Sequence, residues 1–168
     1  TFFMAVLNPG DEVIIPTPYW VSYGDQVKMA EGVPVFVQAK EDNHFKVTVE
    51  QLEAARTDKT KVLVLNSPSN PTGMIYTREE LMAIGNWAVA HDVLILADDI
   101  YGRLVYNGNE FVPISSLSEA IRKQTIVING VSKAYAMTGW RVGYAVGNPE
   151  IIAAMSKLTG QTTSNLTA

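Results

Sequence analysis

The 168-residue sequence is 47% hydrophobic and 18% charged, a balance that supports a buried core and excludes the disordered and low-complexity classes. Its formal net charge of -4, without a basic run, removes the electrostatic footprint of nucleic-acid binding, and no apolar stretch approaches the ~20 residues that span a bilayer. Cysteine is absent, which excludes disulfides, thiolate catalysis and cysteine-ligated metals, and His44 and His91 read as surface residues that leave little for a metal site.

In chain order, Thr1 to Leu7 reads as the last turns of a helix entering the turn Asn8-Pro9-Gly10-Asp11. Glu12 to Pro16 reads as a strand, Tyr19 to Ala30 as a helix and Val33 to Val37 as the next strand, a complete βαβ unit. Glu50 to Ala55 is a short helix, and Lys61 to Asn66 is a near-continuous apolar run of the kind a strand buried on both faces shows. Thr77-Arg78-Glu79-Glu80 carries a capping-box pattern, followed by Leu81, Ile84 and Ala88 at helical spacing, and this helix should end near His91. Val93 to Ala97 and Thr125 to Asn129 are further buried strands, with Ser116 to Lys123 helical between them. Arg141 to Gly147 is a last strand, and the segment from Gly130 to Trp140 is too short for an ordinary parallel crossover, so this strand should run antiparallel. Ile151 to Lys157 has helical spacing and opens into Thr159 to Asn165 without a closing element. The pattern predicts one α/β domain, three layers (α/β/α) around a mostly parallel mixed sheet. Ligands in such sheets gather at the carboxyl ends of the strands.

The chemistry-bearing residues fall at those ends. Asn70, in Asn70-Pro71-Thr72-Gly73, follows the strand ending near Asn66, Asp98 ends its own strand, and Lys133 follows Asn129. Lys133 lies among Val131, Ala134 and Ala136, neighbours expected to bury the amine and lower its proton affinity. Asp98 and Asp99 point to opposite faces if both are in the strand, so they should not converge on one metal ion, and a buried carboxylate needs a partner. A lysine amine that holds an aldehyde, a carboxylate that keeps a ring nitrogen protonated and an arginine fork on a phosphate together describe a site for pyridoxal 5'-phosphate. Arg141 supplies the guanidinium, and Tyr101 and Asn70 are placed to reach the ring oxygen. Trp20, after Pro16-Thr17-Pro18-Tyr19, reads equally as core or as an indole lying over the cofactor ring. Gly-x-Gly-x-x-Gly and Gly-x-Ser-x-Gly are both missing, so dinucleotide and hydrolase readings find no support.

Four motifs in combination, Asn70-Pro71-Thr72-Gly73, Asp98-x-x-Tyr101, Ser132-Lys133 and Thr138-Gly139-Trp140-Arg141-x-Gly143, give the sequence a resemblance to the large domain of fold-type I, class I pyridoxal-phosphate aminotransferases of the aspartate aminotransferase-like subgroup. The resemblance covers essentially the whole chain. It implies that Lys133 is the Schiff-base lysine and proton shuttle, Asp98 the partner of the pyridinium, Tyr101 and Asn70 ligands of the ring oxygen, and Arg141 a phosphate ligand. It further implies that Trp20 stacks on one ring face and Ile100 packs on the other. Members often carry serine three residues before the lysine, where this chain has Gly130, and glutamate where it has Asp99. The resemblance makes residues 1–168 the central part of the cofactor-binding domain, without its N-terminal segment or the C-terminal small domain, an arrangement in which the isolated chain should lack useful turnover. Its substrates would be an amino acid and a 2-oxo acid, and the full-length form a cytoplasmic homodimer without nucleic-acid or membrane partners. Two rivals share the motifs: a carbon-sulfur lyase, disfavoured by Trp20, and the cofactor-binding domain of a transcription regulator, for which nothing basic speaks.

Overall fold

The computed structural model describes residues 1–163, 165 and 166. Six strands form one sheet: β1 (Glu12–Thr17), β2 (Val33–Gln38), β3 (Thr60–Asn66), β4 (Leu94–Asp98), β5 (Thr125–Gly130) and β6 (Gly143–Val146). Their order is β2-β1-β3-β4-β5-β6, with every neighbouring pair parallel except β5 and β6, which are antiparallel. The short return predicted from Gly130 to Trp140 is the reason, since an antiparallel neighbour needs no crossover helix. The six helices are α1 (Phe2–Val6), α2 (Ser22–Met29), α3 (Val49–Ala55), α4 (Arg78–Ala90), α5 (Glu119–Gln124) and α6 (Pro149–Thr162).

Strand alternation sorts the core into two layers. Ile14, Leu63, Leu65, Ile95 and Ala97 pack on one face against Leu52 of α3, Leu81, Ile84 and Trp87 of α4, and Ile121 of α5. Their neighbours Val13, Ile15, Val62, Val64 and Leu96 point the other way, against Phe2 and Phe3 of α1, Tyr23 and Val27 of α2, and Ile152 and Met155 of α6. This is the three-layer arrangement expected from the sequence, with β3 and β4 buried on both faces.

Local chemistry fixes the helix ends. Thr77 and Glu80 form the capping box predicted for α4, Glu80 accepting from the Thr77 N–H at 2.7 Å and donating its own N–H to Thr77 Oγ1 at 3.3 Å. Glu80 also pairs with Lys46, the buried lysine of the chain, at 2.6 Å. Several element boundaries differ from expectation; α5, for one, begins at Glu119 rather than Ser116, with Ser118 Oγ accepting from the Ile121 N–H at 3.2 Å. α2 begins at Ser22 rather than Tyr19, because Pro18, Tyr19, Trp20 and Val21 form the loop between β1 and α2. α6 runs from Pro149 to Thr162: Asn148 Oδ1 accepts from the Glu150 N–H at 2.8 Å and Pro149 sits in the first turn, so the apparent turn residues start the helix. Arg141 is not in β6; it sits at φ 52° and ψ 44°, closing the 3₁₀ turn Thr138–Trp140 before the strand starts at Gly143.

Candidate active site

Asp98 owes its position to the alternation of β4. Leu96 faces the α1–α2–α6 layer, Ala97 faces the opposite one, and Asp98 at the strand's carboxyl end therefore returns to the α2 side, paired in register with Asn66 of β3 and Ile128 of β5. There the Tyr23 hydroxyl donates to Asp98 Oδ2 at 2.5 Å and the Ile100 N–H donates to Oδ1 at 3.1 Å. Burial pushes the Asp98 carboxyl above the usual carboxylate range, opposed by the donors Tyr23 and Ile100. Asp98 forms no ion pair among the described residues.

A cavity of about 1070 Å³ opens on this side of the sheet, bounded by Trp20, Tyr23, Asp98, Asn129, Arg141 and the helices α1 and α6. Trp20 is 41% exposed on its wall and meets Tyr23 edge-on, ring centroids 5.3 Å apart and planes at 89°, so it is not a core residue. Arg141 donates from Nη1 to the Thr138 carbonyl at 2.9 Å, which leaves most of its fork free toward the cavity. Asn70 lines an adjoining small pocket that shares Tyr23 with the large one, and its N–H donates to Asn66 Oδ1 at 2.7 Å while Asn66 Nδ2 donates to the Asp98 carbonyl at 2.9 Å. Thus Trp20, Asp98 and Arg141 share one cavity, and Asn70 is tied to it through Asn66.

Lys133 departs from expectation. It is exposed, not buried, on the loop after β5, with Nζ 6.0 Å from the centre of the Tyr101 ring. The small residues around it lie in a tight surface turn, where Ala136 takes φ 52°, and no second layer of side chains covers the amine. Small apolar neighbours make a buried lysine only where the backbone enters the core. Ile100 packs toward Gly130: a Cβ on that glycine would lie 3.4 Å from Ile100 Cδ1 and only 2.7 Å from the Val142 carbonyl. The Gly130–Gly143 pairing of β5 and β6 thus explains why no larger residue stands at position 130.

Asp99 faces away from the cavity and is 7% exposed; burial first, and the Asp98 charge second, push its carboxyl up to about 7. Its shortening relative to glutamate lies outside the cavity wall. A carboxyl whose affinity for protons rises on folding stabilises the fold at low pH and loses that contribution as pH climbs toward 7. Asp99→Asn is therefore expected to raise the Tm at pH 8 and to leave it unchanged at pH 4, each pH unit of the window being worth at most about 1.4 kcal/mol. Equal Tm values for the two proteins at pH 8 would contradict the burial of an unpaired charge.

Sequence reading missed Tyr23, Asn66 and Asn129. Tyr23 looks like one more apolar position of α2, and its partner Asp98 is 75 residues away in the chain. Asn66 and Asn129 are polar ends of apolar strands, and that position at a carboxyl edge was the available signal.

The family model described as aminotransferase class I and II matches residues 1–168. The chain belongs to that family. Among curated relatives, the asparagine–oxo-acid transaminase of Streptococcus mutans is 76% identical over 165 residues, covering 98% of the chain and 42% of the relative. The aspartate aminotransferase of Geobacillus stearothermophilus is 58% identical over 168 residues, covering the whole chain and 43% of the relative. In three dimensions the chain superposes on the aspartate aminotransferase structure from Rhizobium meliloti with a TM-score of 0.94 at 48% identity, covering 97% of the chain and 41% of that structure. The chain thus spans about two-fifths of the length of the relatives it matches.

Proposed function

We propose that the protein containing this chain is a pyridoxal 5'-phosphate-dependent aminotransferase that moves an amino group from a four-carbon amino acid to a 2-oxo acid, and that residues 1–168 are the central part of its cofactor-binding domain. The observation that carries the reading is Asp98: a carboxylate at the carboxyl end of a central strand, held by two donors, unpaired with any cation among the described residues and facing a cavity. A half-buried carboxylate of that kind loses part of its hydration, and a protonated pyridine nitrogen would restore a cationic N–H partner. The cavity wall suits the same group, Arg141 offering a guanidinium for the phosphate and Trp20 an aromatic face, with Asn70 in the adjoining pocket; Tyr101 and Ile100 follow Asp98 outside the lining of both, Tyr101 beside Lys133 and Ile100 against Gly130.

The cofactor, when bound, supplies an electron sink for the charge that develops at the substrate α-carbon. In this reading Asp98 keeps the ring nitrogen protonated, and its fixed orientation stabilises that charge without reorganisation. Lys133 would hold the cofactor through its aldehyde, and its amine would then be the group that moves a proton at the substrate α-carbon. Its exposed amine can be reached by an incoming aldehyde.

The names of the relatives divide on the donor. The 76% relative is an asparagine–oxo-acid transaminase and the 58% relatives are aspartate aminotransferases, so both amides and acids of the four-carbon series belong in the assay. Full-length protein loaded with cofactor is expected to convert aspartate or asparagine with a 2-oxo acid acceptor into the exchanged pair, followed by chromatography of both products. Release of ammonia or sulfide from cysteine conjugates, with no amino acid formed from the acceptor, would replace this reading with the lyase. Among the described residues no helix is long and apolar enough to cross a membrane.

A further inference from the structure

The contact between α2 and β4 is the most closely engaged polar feature of the cavity wall. Tyr23 is 4% exposed, its ring is packed among Val13, Ile15, Val27 and Val64, and its hydroxyl meets Asp98 Oδ2 at 2.5 Å. The other carboxylate oxygen is held by the Ile100 N–H, so each oxygen has one donor and the two donors come from different segments. That pairing fixes the plane of the carboxylate. Burial, and next the charge of Asp98, push the Tyr23 phenol above its ordinary range, so it remains the donor. The same ring presents its edge to Trp20, the aromatic wall of the cavity.

We propose that Tyr23 is a positioning residue for the cofactor: its hydroxyl aims the Asp98 carboxylate into the cavity while its ring braces Trp20, so that one side chain aligns the anionic and aromatic walls. This rests on the reading of Asp98 as partner of the ring nitrogen. The charged and titratable groups near Asp98 are Tyr23 from α2, Asp99 and Tyr101 from its own segment, and Arg141 on the cavity wall; of these only Tyr23 donates to the carboxylate. Without that donor the carboxylate keeps one hydrogen bond and is free to turn or take up a proton.

The test titrates pyridoxal 5'-phosphate into the full-length apoprotein as wild type, Tyr23→Phe, Asp98→Asn and the double variant. Tyr23→Phe keeps the ring and is expected to weaken binding roughly 10-fold, the weight of one hydrogen bond to a charged group. In the Asp98→Asn background the same change is expected to alter binding less than about twofold, because the partner that the hydroxyl orients is gone. Binding by Tyr23→Phe within about twofold of wild type, or equal losses in both backgrounds, overturns the proposal. If Tyr23→Phe does not fold, 3-fluorotyrosine at position 23 retains the ring and a more acidic hydroxyl; a displaced pH midpoint of the bound cofactor's visible band supports the proposal and an unmoved one overturns it. Failure of the unmutated protein to bind pyridoxal 5'-phosphate overturns the functional reading as well, which separates the two outcomes.

Discussion

Lys133→Ala in the full-length protein is expected to lower kcat by at least the 10²–10⁴-fold that a positioned proton-transfer group typically supplies, because in the proposed reading the same amine would both hold the aldehyde and move the proton. Lys133 sits on the loop after β5 beside Tyr101, exposed and without an ion-pair partner among the described residues. No structural ion pair is lost when it is removed, so the Tm should stay within about 0.5 kcal/mol equivalents of wild type, as for other surface substitutions. Lys123→Ala is the control: that lysine pairs with Glu119 at 2.9 Å on α5, and its loss should leave kcat unchanged. Equal kinetic losses from the two variants would remove Lys133 from the reaction.

Asp98→Asn is expected to slow amino transfer by about 10²–10³-fold, the range seen when one preorganised electrostatic group is removed. The amide retains the size of the carboxyl: its single oxygen can keep the Ile100 N–H while its NH2 takes the position of Oδ2 and donates to the Tyr23 hydroxyl, so the wall of the cavity should survive. What is lost is the negative charge that, in the proposed reading, would favour a protonated ring nitrogen. Asp99→Asn supplies the comparison, since Asp99 lies off the cavity wall and its loss should change kcat little while stabilising the fold at pH 8. Stopped-flow half-reactions with the amino donor read the effect on the chemical step, and matching losses from the two variants would undo the assignment of faces made from strand alternation.

Much of this site could be read from the chain, and for physical reasons. β3 and β4 announce themselves as unbroken apolar runs because both of their faces are covered, and the Thr77–Glu80 capping box marks α4 because its two hydrogen bonds are local. Once β4 is located, period-two geometry alone sends Asp98 and Asp99 to opposite sides. The antiparallel turn of β6 followed from connection length. Other features depend on distant parts of the chain. The Tyr23–Asp98 contact joins residues 75 apart, and nothing local distinguishes this tyrosine from a core aromatic. The exposure of Lys133 also escaped the sequence, because Val131, Ala134 and Ala136 look like core neighbours until the backbone is seen to turn at the surface. Arg141 was placed in a strand by its apolar successors, whereas the 3₁₀ turn before it leaves it in the left-handed region at the cavity mouth.

The central claim is that one lysine of this chain holds the cofactor. Full-length protein carrying pyridoxal 5'-phosphate should be reduced with borohydride, digested and mapped by mass spectrometry. A pyridoxyl adduct on the peptide spanning Ser132-Lys133-Ala134-Tyr135 is the predicted result; an adduct confined to another lysine, or none in a protein that retains the cofactor's visible absorbance, would contradict the account.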